Sequence, residues 1–240
     1  ISLFDIIHYS LSDQDHLTCD KPNIPTDQSN LILKAAQLFR DKTGLSFGLK
    51  AHLEKNIPHE AGLGGGSSNA ATTLWALNQL LNQPASVEDL IQWSAEIGSD
   101  ITFFFSEGTA YCTGRGEIIR HVPQLNSQQV WIAKPAEGLS TPLVFKSLDV
   151  SRLQERDSER VLQSFHHHQF QCFNDLEETA LSLKPSLKVF KNQLLELGFT
   201  DVVLSGSGTA FFCLGNPSTI PPGLFIKPAQ FVNRSSNNWY

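Results

Sequence analysis

Apolar and polar residues follow two different periods along this chain, which predicts both strands and helices. From Phe47 to Glu54 apolar and polar residues alternate one by one, as in a half-buried strand. From Asn30 to Lys42 apolar residues recur at helical spacing. Because Ser29 stands in the capping position before this stretch and Gly44 follows it, the stretch is predicted to be a helix.

The remaining pattern predicts an α+β fold in two domains, since helices and strands are interleaved without a strict β-α-β rhythm. The polar, proline-bearing segment Pro123–Gln129 is the best candidate boundary, so the expected domains are residues 1–124 and 125–240. The other predicted strands are Ile1–Leu11, Ile101–Phe105, Val130–Ala133, Asp201–Leu204 and Ala210–Leu214, with a hairpin over Gly108–His121 and a loop over Thr18–Gln28. Six other helices are predicted. One ends near Leu81, one runs from Ser86 to Gly98, and one begins at Ser140-Thr141-Pro142. The remaining three cover Ser158–His167, Asp175–Leu183 and Ser186–Leu197.

A glycine-rich stretch, Gly62-Leu63-Gly64-Gly65-Gly66, leads directly into the helix that ends near Leu81. Glycine allows positive φ angles and a close approach of the backbone to a ligand. A helix N-terminus adds unpaired N–H groups and the positive end of the helix dipole. Together these features predict a site for phosphate or another anion. A flexible loop without a ligand fits less well, because the glycines adjoin an amphipathic helix.

The glycine-rich stretch does not match the commoner phosphate motifs. No Lys-Ser/Thr pair follows it, so it is not a P-loop. Ser67 stands where the dinucleotide-binding fingerprint has Gly or Ala, and the stretch does not lead into a valine as the protein-kinase loop does. What remains is a strand–loop–helix cradle, in which the hydroxyls of Ser67 and Ser68 could bind phosphate oxygens or Mg²⁺.

Asp100 and the turn Ser205-Gly206-Ser207-Gly208 are further candidates, and each has a structural alternative. Asp100 lies between a helix end and the apolar strand Ile101–Phe105, where desolvation would suit a general base if a cation held it ionised. It could equally be a helix-capping or turn aspartate. The turn could be an anion-binding nest or a simple hairpin turn.

Two other features have a favoured structural interpretation. Phe145, after Ser140-Thr141-Pro142, is interpreted as core packing more readily than as a surface on which a base stacks. The run His166-His167-His168 points in different directions on a helix, so a solvated helix end is favoured over a metal site.

Composition indicates small-molecule partners. The chain has 18 basic and 24 acidic residues, a formal charge of −6, and no basic block, which argues against nucleic acid or an anionic membrane as the main partner. No apolar run approaches the roughly 18 residues that span a bilayer. The four cysteines have no paired spacing and are interpreted as reduced thiols in a cytoplasmic protein. Since methionine is absent, an N-terminal segment is expected to be missing.

Three motifs, in this order, make the chain resemble the GHMP small-molecule kinases. They are Pro58-x-x-Ala61-Gly62-Leu63-Gly64-Gly65-Gly66-Ser67-Ser68, Gly98-Ser99-Asp100 and Leu204-Ser205-Gly206-Ser207-Gly208. Further pieces resemble the branch of this family that serves non-mevalonate isoprenoid synthesis with a cytidine-bearing substrate. These are Asn30-Leu31-Ile32, the Asn69-Ala70-Ala71 that follows the serines, Gly114-Arg115-Gly116-Glu117, Ser140-Thr141-Pro142-x-x-Phe145 and Asn174-Asp175-Leu176-Glu177.

The resemblance implies an ATP-dependent kinase of two GHMP domains with its active site in the cleft between them, using ATP and Mg²⁺. It implies that Asp100 is the general base and that Asn30 and Lys55 line the nucleoside end of ATP. Thr141 and Phe145 match the cytidine pocket. Residues matching the ATP-phosphate site are Pro58, Ala61, Gly62, Leu63, Gly64, Gly65, Gly66, Ser67 and Ser68, with Ser67 and Ser68 near Mg²⁺. The turn Ser205, Gly206, Ser207, Gly208 matches the motif that supports the phosphate loop and the acceptor side.

The chain departs from the family in two places. The family's N-terminal motif, whose lysine partners the catalytic aspartate, would lie before Ile1. If the polypeptide starts at Ile1, we expect an impaired nucleotide-binding fragment; another GHMP kinase, of the homoserine or galactose type, is the second alternative. Glu60 places a negative charge beside the phosphate loop, next to His59, and both are expected to face solvent.

Overall fold

The structure is a computed structural model that describes residues 1–166, 172–235 and 238–239. Its mixture of helices and strands has the predicted α+β class. The strands are β1 (Ile6–Ser12), β2 (His16–Cys19), β3 (Gly48–Glu54), β4 (Ala110–Thr113), β5 (Ile118–His121), β6 (Gln129–Lys134), β7 (Phe199–Leu204), β8 (Phe211–Gly215) and β9 (Phe225–Gln230). The α-helices are α1 (Leu31–Thr43), α2 (Gly65–Leu80), α3 (Val87–Ile97), α4 (Thr141–Ser147), α5 (Ser158–His166), α6 (Glu177–Leu183) and α7 (Pro185–Glu196), and short 3₁₀-helices cover Ser99–Phe105 and Val150–Arg152.

The chain folds into two compact units, taking the described residues of each range. We call one the N-terminal unit, which comprises Leu3–Ile57, Gly64–Gln124 and Asn233–Tyr240. The other, the C-terminal unit, comprises Ile1–Ser2, Pro58–Leu63 and Leu125–Val232. The glycine-rich stretch therefore passes from one unit to the other between Leu63 and Gly64.

The N-terminal unit is built on a three-stranded sheet in the order β1-β3-β2, with β1 antiparallel and β2 parallel to β3. The alternation predicted for β3 is confirmed, because Leu49, Ala51 and Leu53 are buried and the residues between them are exposed. Helices α1 and α2 contribute buried residues such as Phe39 and Leu74 to the same core. This core supports the first turn of α2 and the 3₁₀-helix that carries Asp100.

The C-terminal unit is built on an antiparallel sheet in the order β7-β8-β6-β9. Its core joins residues of this sheet, such as Phe211, to Leu187 and Leu194 of α7. Strand β9 was not predicted; it lies at the sheet edge, where Pro228, opposite Trp131, is tolerated although it lacks an N–H donor.

Several predicted boundaries are wrong, and each has a local cause. The cap of α1 is Asn30, whose side chain accepts a hydrogen bond from the Ile32 N–H at 2.9 Å, because Ser29 is engaged with Asp27. Part of the predicted Thr18–Gln28 loop is strand β2. The predicted strand Ile101–Phe105 is a 3₁₀-helix, since a short apolar run does not distinguish a strand from a helix.

The capping box at Ser86 is confirmed, with reciprocal bonds between Ser86 and Asp89. The hairpin of β4 and β5 is confirmed as well. Among the described residues, no helix combines the length and the apolar composition needed to cross a membrane.

Candidate functional site

Helix α2 begins inside the glycine-rich stretch, so its first turn consists of Gly65, Gly66, Ser67 and Ser68. Gly64 caps the helix with a φ of 67°, and its carbonyl accepts a bond from the Ser68 N–H at 2.8 Å. A glycine cap has no side chain to bond the first N–H groups of the helix. Those groups and the positive end of the dipole are therefore left for an anionic ligand.

The glycines of this turn are closely packed within the N-terminal unit. A Cβ at Gly64 would lie 2.9 Å from Phe104, and one at Gly65 would lie 2.9 Å from Ile57. A Cβ at Gly66 would approach Leu31 to 3.2 Å. The helix terminus is thus packed against side chains that would have to shift to admit a larger residue.

Lys55, which the resemblance assigns to the nucleoside end of ATP, is buried beside the first turn of α2. Its Nζ lies 2.7 Å from Asp5 Oδ2 and 2.5 Å from the Ile57 carbonyl, and a Cβ at Gly65 would lie 3.1 Å from it. The lysine stem lines this end of the helix while its charge is held by Asp5.

Sequence reasoning missed Asp5, whose side chain is 1% exposed. Its carboxylate also accepts bonds from the N–H groups of Asn56 and Ile57 and from Asn69 of α2. Asp5 therefore ties the β3–α2 connection to α2 itself. The one signal was an acidic residue inside the predicted strand Ile1–Leu11.

Asn30 lies at the start of α1, where the oxygen and the nitrogen of its side-chain amide both form hydrogen bonds. Besides capping Ile32, it donates through Nδ2 to the Pro25 carbonyl at 2.6 Å. Its side chain stabilises the helix terminus, and its assigned contact with a nucleotide stays a prediction.

Asp100 lies in the first turn of the 3₁₀-helix Ser99–Phe105, and its side chain is exposed. The burial that the expected apolar strand would have given this carboxylate is therefore absent. The β4–β5 turn approaches it closely, since a Cβ at Gly116 would lie 3.3 Å from Oδ1. Burial, and to a lesser degree the charge of Asp100, raises the pKa of the Cys112 thiol, which keeps this thiol protonated at neutral pH.

In the C-terminal unit, the β7–β8 turn holds the segment Pro58–Leu63 by its backbone. A Cβ at Gly62 would lie 2.0 Å from the Ser205 carbonyl oxygen, and one at Gly208 would lie 2.0 Å from the Gly62 nitrogen. Only glycine permits this approach on both sides. The structure thus brings together two of the three motifs that the sequence analysis identified.

Three consecutive carbonyls of Pro58–Leu63 accept hydrogen bonds from the β7–β8 turn. Thr209 Oγ1 lies 3.3 Å from the Glu60 oxygen. The Ala210 N–H donates to Ala61 at 3.0 Å, and Ser205 Oγ donates to Gly62 at 3.0 Å. These carbonyl oxygens, which would repel a phosphate, are therefore occupied and the loop is fixed.

Asn174 and Glu177 in turn support the β7–β8 turn. Asn174 donates through Nδ2 to the carbonyls of Leu204 and Gly206, at 2.8 and 2.7 Å. Glu177 accepts from the Leu204 N–H at 2.7 Å. The sequence singled out both residues as part of a motif but gave them no role; the structure indicates that they position the turn.

Thr141 and Phe145 lie on α4 of the C-terminal unit, which begins with Ser140 as its cap and Pro142 in its first turn, as predicted. Ser207 Oγ lies 2.8 Å from Thr141 Oγ1, so the β7–β8 turn also contacts this helix. Phe145 is 57% exposed, and its interpretation as core packing is wrong. Its ring is available for stacking with a ligand.

Glu60 and His59 are exposed, as expected. Burial lowers the pKa of Lys134, and the neighbouring Glu60 carboxylate partly opposes that effect. Glu60 adopts a φ of 51°, in the region that favours glycine.

We expect Glu60→Gly to raise the free energy of unfolding by about 0.5–1 kcal/mol, because relief of the left-handed backbone exceeds the entropic cost of glycine. Urea denaturation measures the change. Asn82→Gly is the matched control, since Asn82 has a φ of 63° but asparagine tolerates this region. Equal gains in the two variants would contradict the explanation.

The described residues contain no group of three or more His, Cys, Asp or Glu side chains arranged to hold a metal ion. His167 and His168, two of the three consecutive histidines, lie outside the described residues.

Comparisons with known proteins agree on one family. The model of the GHMP kinases N terminal domain matches residues 30–108, and that of the GHMP kinases C terminal matches residues 150–221. The chain is 52% identical over its whole length to a 4-diphosphocytidyl-2-C-methyl-D-erythritol kinase of Protochlamydia amoebophila, of which it spans 82%. It is 42% identical over its whole length to a chloroplastic kinase of the same name from Oryza sativa subsp. japonica, but spans only 65% of that relative.

Solved structures place the fold in the same group. A crystal structure of 4-(cytidine 5'-diphospho)-2C-methyl-D-erythritol kinase matches with a TM-score of 0.75 and 31% identity, covering 90% of this chain and 78% of that one. A homoserine kinase from Cytophaga hutchinsonii has a TM-score of 0.73 at 18% identity, covering 97% of this chain and 87% of that one. At that identity the second likeness shows the fold alone.

Proposed function

The chain belongs to the GHMP kinases and, within them, to the 4-diphosphocytidyl-2-C-methyl-D-erythritol kinases, and from this premise we propose its reaction. The protein transfers the γ-phosphoryl group of ATP to the 2-hydroxyl of 4-diphosphocytidyl-2-C-methyl-D-erythritol in the non-mevalonate isoprenoid pathway. It is an ATP-dependent transferase acting on a small molecule.

The observation that best supports this proposal is the phosphate cradle formed by Pro58–Ser68. Helix α2 opens on glycines with its first N–H groups uncapped by a side chain, and the preceding loop has three successive carbonyls engaged by the β7–β8 turn. Phosphoryl transfer needs chiefly such positioning and charge stabilisation. This arrangement supports the assignment of Pro58–Ser68 to the phosphates of ATP.

Asp100 is proposed as the general base that accepts the proton of the attacking hydroxyl. Its exposed position leaves the carboxylate accessible, and Gly116 keeps space beside Oδ1.

Phe145 and Thr141 are proposed to bind the cytidine end of the substrate. An exposed aromatic ring offers a stacking surface for a base. The bond between Thr141 and Ser207 fixes the start of α4, so the ring is presented from a positioned helix.

The residues of the first turn of α2 fit Mg²⁺ bound together with ATP. Mg²⁺ takes oxygen ligands and in nucleotide sites is held by few protein groups besides phosphate oxygens. The half-buried hydroxyls of Ser67 and Ser68 are the oxygen donors here, beside the uncapped N–H groups. The ion would neutralise part of the negative charge of the phosphates.

The direct test is phosphoryl transfer from labelled ATP to the cytidine substrate by the full-length protein. We expect phosphorylation of that substrate and none of homoserine. A thermal-shift experiment should likewise show protection by the cytidine substrate and not by homoserine. Transfer to homoserine alone would favour the rival GHMP kinase function, and binding of ATP without transfer would favour a non-catalytic nucleotide-binding protein.

We further propose a cytoplasmic location with ATP and this substrate as the partners. The plant relative is named chloroplastic, so the proposal follows the bacterial relative. Cell fractionation that recovers the protein in an organelle would contradict it.

A further inference from the structure

Thr209 is fully buried and its hydroxyl lies between two backbone carbonyls of different loops. Oγ1 is 2.9 Å from the Glu137 oxygen and 3.3 Å from the Glu60 oxygen. All three residues belong to the C-terminal unit. One hydroxyl therefore joins the segment Pro58–Leu63 to the connection between β6 and α4.

The two loops serve different ligands in the proposed function. Glu60 belongs to the segment assigned to the phosphates of ATP. Glu137 lies in the connection that leads to Thr141 and Phe145, assigned to the cytidine substrate. The Thr209 hydroxyl therefore links the loop assigned to ATP with the loop assigned to the cytidine substrate.

Both the carbonyl and the carboxylate of Glu137 accept further hydrogen bonds. Its carbonyl also accepts from Lys134 Nζ at 3.2 Å, and its carboxylate accepts from Lys184 at 2.8 Å and from Ser186 at 3.2 Å. Lys184 in addition donates to the Gly138 carbonyl at 2.9 Å. These bonds stabilise the β6–α4 connection internally, and Thr209 is one side chain that ties it to the phosphate segment.

A hydroxyl has one hydrogen to donate, so Thr209 serves both carbonyls only by sharing that hydrogen, with the shorter bond going to Glu137. Sharing requires the two loops to keep their present separation. A ligand that fixes one loop in this arrangement lowers the ordering cost for the ligand on the other loop. We propose that Thr209 is a positioning residue that couples the binding of ATP to the binding of the cytidine substrate. This inference rests on the proposed function.

The test compares wild type, Thr209→Val and Thr209→Ser in the full-length protein. Calorimetry measures the Kd of the cytidine substrate with and without a saturating non-hydrolysable ATP analogue. We expect the analogue to tighten substrate binding about 3- to 10-fold in wild type and in Thr209→Ser. In Thr209→Val, which keeps the shape and lacks the hydroxyl, the factor should fall to about one.

The measured quantity is the ratio of the substrate Kd without the ATP analogue to the Kd with it. A structural effect at Thr209 that weakens substrate binding equally in both conditions would leave this ratio unchanged. Thr209→Ala replaces the valine variant if that variant does not fold, because it also lacks the hydroxyl without adding bulk. The same factor in wild type and in the hydroxyl-free variant overturns the inference, as does a factor of one in wild type. If wild type binds neither ligand, the proposed function fails as well.

Discussion

Replacing Asp100 by Asn in the full-length protein is expected to lower kcat by about 10²- to 10⁴-fold while ATP binds almost as in wild type. Asparagine has the same shape as aspartate but cannot accept the proton of the attacking hydroxyl. Asp100 is exposed, so the fold should be retained. Steady-state kinetics with the cytidine substrate and calorimetric titration of ATP measure the two effects separately.

Glu88→Gln is the matched control for Asp100→Asn. Glu88 is also an exposed acid in the first turn of a helix, so its amide variant loses the same favourable interaction with the helix dipole. Surface substitutions usually change stability by no more than about 0.5 kcal/mol. Because Glu88 lies outside the three motifs assigned to the site, we expect its kcat to stay within about twofold of wild type. A kcat for Asp100→Asn close to that of the control would contradict the base role, and so would lost ATP affinity with preserved turnover.

The elements that the sequence predicts well are those with a local physical signal. Strand β3 is defined by strict alternation and α3 by its capping box at Ser86, and both are found. Elements whose cause lies elsewhere in the chain were missed: β2 is a strand because it pairs in parallel with β3, and β9 because its edge position accommodates Pro228.

In the candidate site, too, features with a local signal were predicted and features that depend on distant residues were missed. Glycines before a helix predicted the anion-binding terminus of α2, because backbone freedom is a property of the residue itself. Asp5 and Lys55 are 50 positions apart, and Thr209 and Glu60 are 149 apart. No spacing rule links such pairs, so the buried ion pair and the shared hydroxyl could be found only in the folded chain.

The other large effect concerns Gly62. Gly62→Ala is expected to lower the free energy of unfolding by about 2–5 kcal/mol and to weaken ATP binding at least about tenfold. Part of the loss is the cost of a left-handed backbone, about 1–2 kcal/mol at its φ of 72°. The rest arises because the new Cβ would lie 2.0 Å from the Ser205 carbonyl oxygen, so the loop must move away from the turn.

Gly44→Ala separates these two causes. Gly44 has a φ of 70°, and nothing lies within 4 Å of the Cβ that alanine would add. Its variant should therefore lose about 1–2 kcal/mol through the backbone alone and keep the ATP affinity of wild type. Urea denaturation of both variants, with ATP titrations, gives the difference that belongs to the loop–turn contact. Because that contact engages three successive loop carbonyls, an equal loss in both variants, with unchanged ATP binding, would mean that the turn does not position the phosphate loop.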